Sequence, residues 1–140
     1  MDEFRPNKEN KEKLSLKVLV ADDSDIIRDG LTMTLKENGY AVEEVENGQL
    51  LIDKLLKKGE SYDLVITDNN MPLKTGIQAL REIRVNENIK NIPVIVQTGD
   101  GKTAKLEIES LGGVYLAKPF SDKNLINVVK KLTEQPKAAE

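Results

Sequence analysis

The sequence predicts a doubly wound α/β fold, a five-stranded parallel sheet in the order 2-1-3-4-5 with helices on both faces. Three observations carry that expectation. Five short β-branched runs alternate strictly with stretches whose apolar residues recur three or four apart. The connections between the runs are too long for hairpins, which calls for parallel strands joined through helices. The first, third and fourth runs are nearly continuous in apolar residues, as strands covered on both faces should be, whereas the second is the most polar and belongs at an edge.

The strands are read, in order, as KVLVA (17–21), AVEEVE (41–46), YDLVIT (62–67), PVIVQ (93–97) and VYLA (114–117). Between the first two, Ile27, Leu31 and Leu35 form a helical stripe, with Ser24 or Asp25 as its cap and Gly39 after it. Leu51, Ile52, Leu55 and Leu56 form the second stripe, opened by Asn47 or Gly48 and followed by Gly59. The third runs through Ile77, Leu80 and Ile83. The fourth helix, Gly101 to Leu111, is the weakest, anchored only by Leu106, Ile108 and Leu111. Leu125, Val128, Val129 and Leu132 make the last, capped by Ser121 or Asp122. The charged stretch 1–15 and the tail 134–140 read as flexible segments on either side of one domain, 16–133.

A chain of 140 residues suits one domain, and 39% hydrophobic with 32% charged residues at a net charge of -3 suits a chain that buries a core. Cysteine and histidine are both absent. Those zeros exclude disulfides, thiolate metal sites, a Ser-His-Asp triad and histidine-ligated zinc, leaving carboxylates, hydroxyls, lysine or an oxygen-bound metal for any chemistry. No apolar run is long enough for a membrane span and no signal peptide opens the chain, so a cytoplasmic protein with no membrane role is expected. Scattered lysines, three tyrosines, two phenylalanines and no tryptophan give no basic stripe or stacking platform, so direct nucleic-acid binding is not expected.

In open sheets of this kind ligands sit beyond the carboxyl ends of the strands. There the sequence places Asp22 and Asp23 after the first strand, Asp68 at the end of the third, Thr98 at the end of the fourth, and Lys118 with Pro119 after the fifth. Singly these are ordinary caps and turn formers. Together they are informative, because carboxylates about 5 Å apart repel by roughly 3 kcal/mol per pair at an effective dielectric of 20. An oxygen-only donor set selects a hard ion, and Mg2+ fits two or three carboxylates better than a many-ligand Ca2+ cage does. A cation, a hydroxyl and an ammonium around one carboxylate make a phosphoryl-handling site with that carboxylate as nucleophile.

These residues resemble the receiver domain of two-component response regulators, of the single-domain, chemotaxis-regulator-like kind. The motifs are ADDS after the first strand, TDNNMP after the third, Thr98 after the fourth and KPF at 118–120, and the resemblance covers about 16–133. It implies the flavodoxin-like (βα)5 fold and a phosphoprotein acting in phosphorelay signalling, with Asp68 as phosphoacceptor. It also implies Mg2+ held by Asp22, Asp23, Asp68 and the backbone carbonyl of Asn70, with Asp23 as direct ligand. Thr98 and Lys118 would bind phosphoryl oxygens, Thr98 and Tyr115 would form the switch, and the Lys118-Pro119 bond matches one usually cis in the family. The implied partners are a histidine kinase or histidine phosphotransfer protein, docking over the first helix near Ile26, and a downstream protein target. Autodephosphorylation is implied, but no turnover of a separate substrate. The resemblance departs in two places: the stretch from Thr98 to Lys118 is a residue or two short, which leaves the fourth helix open, and Gly99 stands where alanine is commoner.

Three rival readings keep part of the chemistry. A haloacid-dehalogenase-type phosphatase also uses a nucleophilic aspartate, but it opens on an Asp-x-Asp motif, whereas here the acidic pair comes first. GDGKTAK (99–105) imitates the end of a P-loop, but Val96 stands where its leading glycine is required. A pseudo-receiver used only for docking usually lacks a carboxylate or the lysine, and all five polar groups are present here.

Overall fold

The computed structural model describes residues 15–134. The expected flexible segments, 1–15 and 134–140, lie outside the described residues apart from Ser15 and Glu134. Ten elements alternate along the chain: β1 (Lys17–Ala21), α1 (Asp25–Glu37), β2 (Ala41–Val45), α2 (Gly48–Leu56), β3 (Leu64–Asp68), α3 (Gly76–Val85), β4 (Val94–Thr98), α4 (Lys102–Ser110), β5 (Val114–Ala117) and α5 (Asp122–Thr133). All strand pairs are parallel, in the order β2-β1-β3-β4-β5. The polar strand is indeed at an edge and the three apolar ones are central. β3 and β4 start later and end one residue further than the sequence reading had them, so Asp68 and Thr98 are their last members.

Alternation along each strand divides the core in two. Val18, Val20, Leu64, Ile66 and Ile95 face α1 and α5, while Leu19, Val65, Val94 and Val96 face α2, α3 and α4. Full burial of one such side chain contributes about 1.5–3 kcal/mol, so both layers help to hold the strands whose ends carry the loops of interest.

Cap chemistry decides where the helices begin. Of the candidates offered by the sequence, Ser24, Asn47 and Ser121 are the caps, accepting from the Ile27, Leu50 and Asn124 amides at 3.3, 2.8 and 3.0 Å. α3 opens on a reciprocal box in which the Thr75 hydroxyl accepts from the Gln78 amide and the Gln78 side chain accepts from the Thr75 amide. Among the described residues none gives α4 a side-chain cap.

Three expected core contacts are not made. Ile27, Leu56 and Leu106 are exposed. Ile27 stands in the first turn of α1, ahead of the packed residues Leu31 and Leu35, and Leu56 is turned away from the face that buries Leu51, Ile52 and Leu55. In α4 the buried pair is Ala104 and Ile108, one turn apart, and Leu106 lies on the outer side of the helix. Among the described residues no helix is long and apolar enough to cross a membrane.

Candidate functional site

The site is assembled by strand ends. β1 stops at Ala21, and the next residue, Asp22, is only 1% exposed. Its carboxylate Oδ1 accepts from the Ser24 amide at 2.9 Å, so the serine that caps α1 also holds the aspartate. The Arg28 guanidinium donates to the Asp22 carbonyl at 2.7 Å and to Glu44 at 3.0 Å, fastening the loop to β2. Asp23 follows and is exposed.

β3 delivers Asp68 beside this pair, nearly buried. Carboxylate oxygens of Asp22, Asp23 and Asp68 all lie within 4.8 Å of one another. From β5 the Lys118 ammonium reaches the Asp68 Oδ1 at 2.6 Å, and the Lys118 amide donates to the Thr98 carbonyl at 3.0 Å. The Lys118-Pro119 bond is cis. Thr98 is buried, with its hydroxyl accepting from the Asp100 amide at 3.1 Å. Glycine is obligatory at position 76, because a Cβ there would lie 2.4 Å from the Asp68 carbonyl oxygen and push α3 off the end of β3.

Of the five polar groups singled out in the sequence, Asp22, Asp23 and Lys118 therefore gather around Asp68, and Thr98 stands at the adjoining strand end. Asn70 is exposed in the loop after Asp68. Tyr115 is half-buried on β5 and packs against the α2, α3 and α4 side of the core. Ile26 is 85% exposed in the first turn of α1, off the buried stripe.

Two residues of the site escaped the sequence reading. Asn69 is buried, accepts from the Ile77 amide at 2.9 Å and through its own amide and carbonyl ties the loop to Gln97 and Gly76. Gln97 is fully buried beside Asp22. A polar residue ending an otherwise apolar strand was the available signal for the second; for the first there was none.

Burial pushes the Asp22 carboxyl above the ordinary range, and the Asp68 and Asp23 charges add to it, while the Ser24 amide and Lys118 oppose it. Three carboxylates against one ammonium leave a surplus of negative charge in a partly dry space. The donor set is oxygen alone, which fits a hard divalent cation and no thiophilic one.

The response regulator receiver domain family matches this chain over residues 18–130. The chain belongs to that family. It is 32% identical over 123 residues to the chemotaxis protein CheY-3 of Vibrio cholerae, an alignment covering 86% of this chain and 94% of that protein. It is 38% identical over 118 residues to the transcriptional regulatory protein ResD of Bacillus subtilis, covering 83% of this chain but only 47% of ResD. Among solved structures, the chemotaxis response regulator CheY4 of Vibrio cholerae superposes with a TM-score of 0.77 at 30% identity, over 84% of this chain and 98% of that one.

The protein is thus a receiver domain of two-component signalling, built on the fold that its strand pattern predicted. The match runs across all five strands and leaves neither the dehalogenase-type nor the nucleotide-binding reading a footing. GDGKTAK is accounted for as the turn after Thr98 and the opening of α4.

Proposed function

We propose that this receiver accepts a phosphoryl group on Asp68 from a phosphohistidine of a histidine kinase or phosphotransfer protein and later releases it to water. The observation that carries this is the Lys118 ammonium 2.6 Å from an oxygen of Asp68, which clusters with Asp22 and Asp23. One Asp68 oxygen attacks phosphorus, the P–O bond forms as the P–N bond of phosphohistidine breaks, and the imidazole leaves. Water later attacks the same phosphorus, the aspartyl P–O bond breaks, and inorganic phosphate departs from a restored carboxylate. The chemistry is self-directed.

Asp22, Asp23, Asp68 and the Asn70 carbonyl would hold Mg2+, which supplies positive charge opposite the phosphoryl oxygens when bound. Lys118 exchanges its carboxylate partner for a phosphoryl oxygen. The Thr98 hydroxyl, which accepts from the Asp100 amide, keeps its own proton to donate to another. The added group brings nearly two negative charges and three acceptors, enough to draw Thr98 inward and open space that Tyr115 can fill. Ile26, exposed beside the acidic loop, is the contact we assign to the incoming partner.

Labelled acetyl phosphate with Mg2+ should mark the parent and not Asp68→Asn, and undiminished labelling of that variant would sink the assignment. The same preparation, loaded with beryllofluoride as a phosphoryl mimic, should shift the Thr98 amide and the Tyr115 ring in NMR spectra. For the docking contact, an Ile26→Ala variant with an unchanged phosphotransfer rate from a phosphohistidine donor would remove Ile26 from the interface.

A further inference from the structure

β4 consists of Val94, Ile95, Val96, Gln97 and Thr98, every one buried. Gln97 is the member that packing alone does not account for. It has no exposed surface and lies between Asp68 of β3 and Leu116 of β5 in the sheet register. By alternation it shares a face with Ile95, over the layer of α1 and α5. Its side-chain Nε2 donates to Asp22 Oδ2 at 3.3 Å, the long end of the range, and its Oε1 has no hydrogen-bond partner among the described residues. An apolar side chain of the same size would fill the position without an orphaned carbonyl. A half-satisfied amide in a core strand is a local penalty, of the kind that recurs where a site needs the group.

The other half of the geometry is on Asp22. Its two oxygens take one protein donor each, from elements far apart in the chain: Oδ1 from the Ser24 amide at 2.9 Å, Oδ2 from Gln97. Two donors from two directions fix the plane of the carboxylate. The Gln97 backbone carbonyl meanwhile accepts from the Asn69 amide at 3.1 Å, next to Asp68, and the following residue is Thr98. One residue therefore touches the acidic loop, the Asp68 loop and the strand end that carries the threonine.

We propose that Gln97 is a positioning residue that orients the Asp22 carboxylate for cation binding and links it to the end of β4. The inference rests on the reading of the acidic cluster as a Mg2+-assisted phosphoryl site. Partners that hydrogen-bond a ligating carboxylate typically change metal affinity by about 10- to 100-fold when removed.

Calorimetric titration of the full chain with Mg2+ tests it, comparing the parent with Gln97→Met, which keeps shape and loses the donor. The expected result is a Kd weakened about 10- to 100-fold, while the metal-free melting temperature holds or rises because the orphaned carbonyl is gone. A glutamine with only a packing role would move the melting temperature and not the affinity, so a Kd within about twofold of the parent overturns the proposal. Should Gln97→Met fail to fold, the parent supplies a second measurement. On adding Mg2+ the Gln97 side-chain amide resonances should shift while those of Gln49 and Gln78 stay, and an unmoved Gln97 amide beside shifted Asp22 and Asp23 signals overturns the link. A parent that binds no Mg2+ at all brings down the reading of the site itself, which normal parental binding with an unaffected variant would leave standing.

Discussion

At the carboxyl ends of β1 and β3 three carboxylates crowd within 4.8 Å of one another against a single ammonium. Toward the amino ends of the same strands the charges alternate instead. Lys17 lies 3.0 Å from Glu43 and 3.8 Å from Glu60, Lys54 lies 3.1 Å from Glu43, and the Tyr62 hydroxyl stands 2.6 Å from Glu43 and 2.7 Å from Glu60. That single hydroxyl proton serves one carboxylate at a time, and the Lys17 ammonium, 4.9 Å from the Tyr62 ring centre, offsets the other. The consequences for the acids are opposite. Glu43 is drawn down to about 2, first by the Tyr62 hydroxyl and next by Lys17, whereas Asp22 is pushed up, first by burial. One end of the sheet uses charge to hold its edge strand; the other accumulates repulsion that a cation can relieve.

The largest effect should come from breaking the crowded end. Asp23→Asn removes one charge from the cluster without touching the helix cap, which is Ser24. Mg2+ affinity should fall at least about tenfold, ~1.4 kcal/mol, while the metal-free protein becomes more resistant to urea because like charges no longer oppose one another. Calorimetry and urea unfolding of both proteins measure the two arms, and an unchanged pair of values would make Asp23 an ordinary surface acid.

Breaking the paired end should act the other way, on stability alone. Tyr62→Phe removes the donor that does most to hold Glu43 in its ionised form, at a cost of about 1 kcal/mol once partial solvent exposure is allowed for. The sign of the pH dependence follows from the lowered Glu43 value. Its contribution is fully present above its ordinary value near 4.5 and is lost as the pH falls toward about 2. Urea midpoints should therefore differ most between parent and variant at neutral pH and converge as the pH falls from about 4.5 toward about 2. Mg2+ affinity should not change, and a variant that lost it would show the two ends to be coupled.

The two ends were also unequally legible. The crowded end could be read because the sheet rule says where ligands go, and Asp22, Asp23, Asp68, Thr98 and Lys118 each follow or end a strand whose run is plain in the sequence. The paired end could not be read, since Lys17, Glu43, Lys54, Glu60 and Tyr62 meet only through strand register and helix packing. Asn69 falls in the same class, since its side chain meets the Ile77 amide of α3 only through packing, whereas Gln97 was marked as a polar residue closing an apolar run while its reach to Asp22 was not. The cap at Thr75 could have been found, as Thr75 and Gln78 stand at capping-box spacing. Ile27 misleads because a stripe says nothing of how far along the helix the sheet extends, and Leu56 and Leu106 because each stands beside the buried face of its helix and not on it.

The smallest effect expected concerns the hinge between crowding and movement. Gly99 is exposed and directly follows Thr98, and a Cβ there would meet nothing within 4 Å among the described residues; its backbone does not lie in the left-handed region. Alanine can adopt that conformation without a clash, so Gly99→Ala should stabilise the fold by about 0.4–1 kcal/mol, mainly by narrowing the unfolded ensemble. Fewer backbone states are then open to the loop as well, and any inward movement of Thr98 toward a phosphoryl group must be made by a stiffer segment. The variant should melt higher than the parent and bind beryllofluoride with Mg2+ somewhat less tightly, while Tyr62→Phe leaves that affinity alone. Equal beryllofluoride affinity in a stabilised Gly99→Ala protein would show that Thr98 reaches the phosphoryl group without bending at Gly99, and the freedom of that residue would then have no part in the switch.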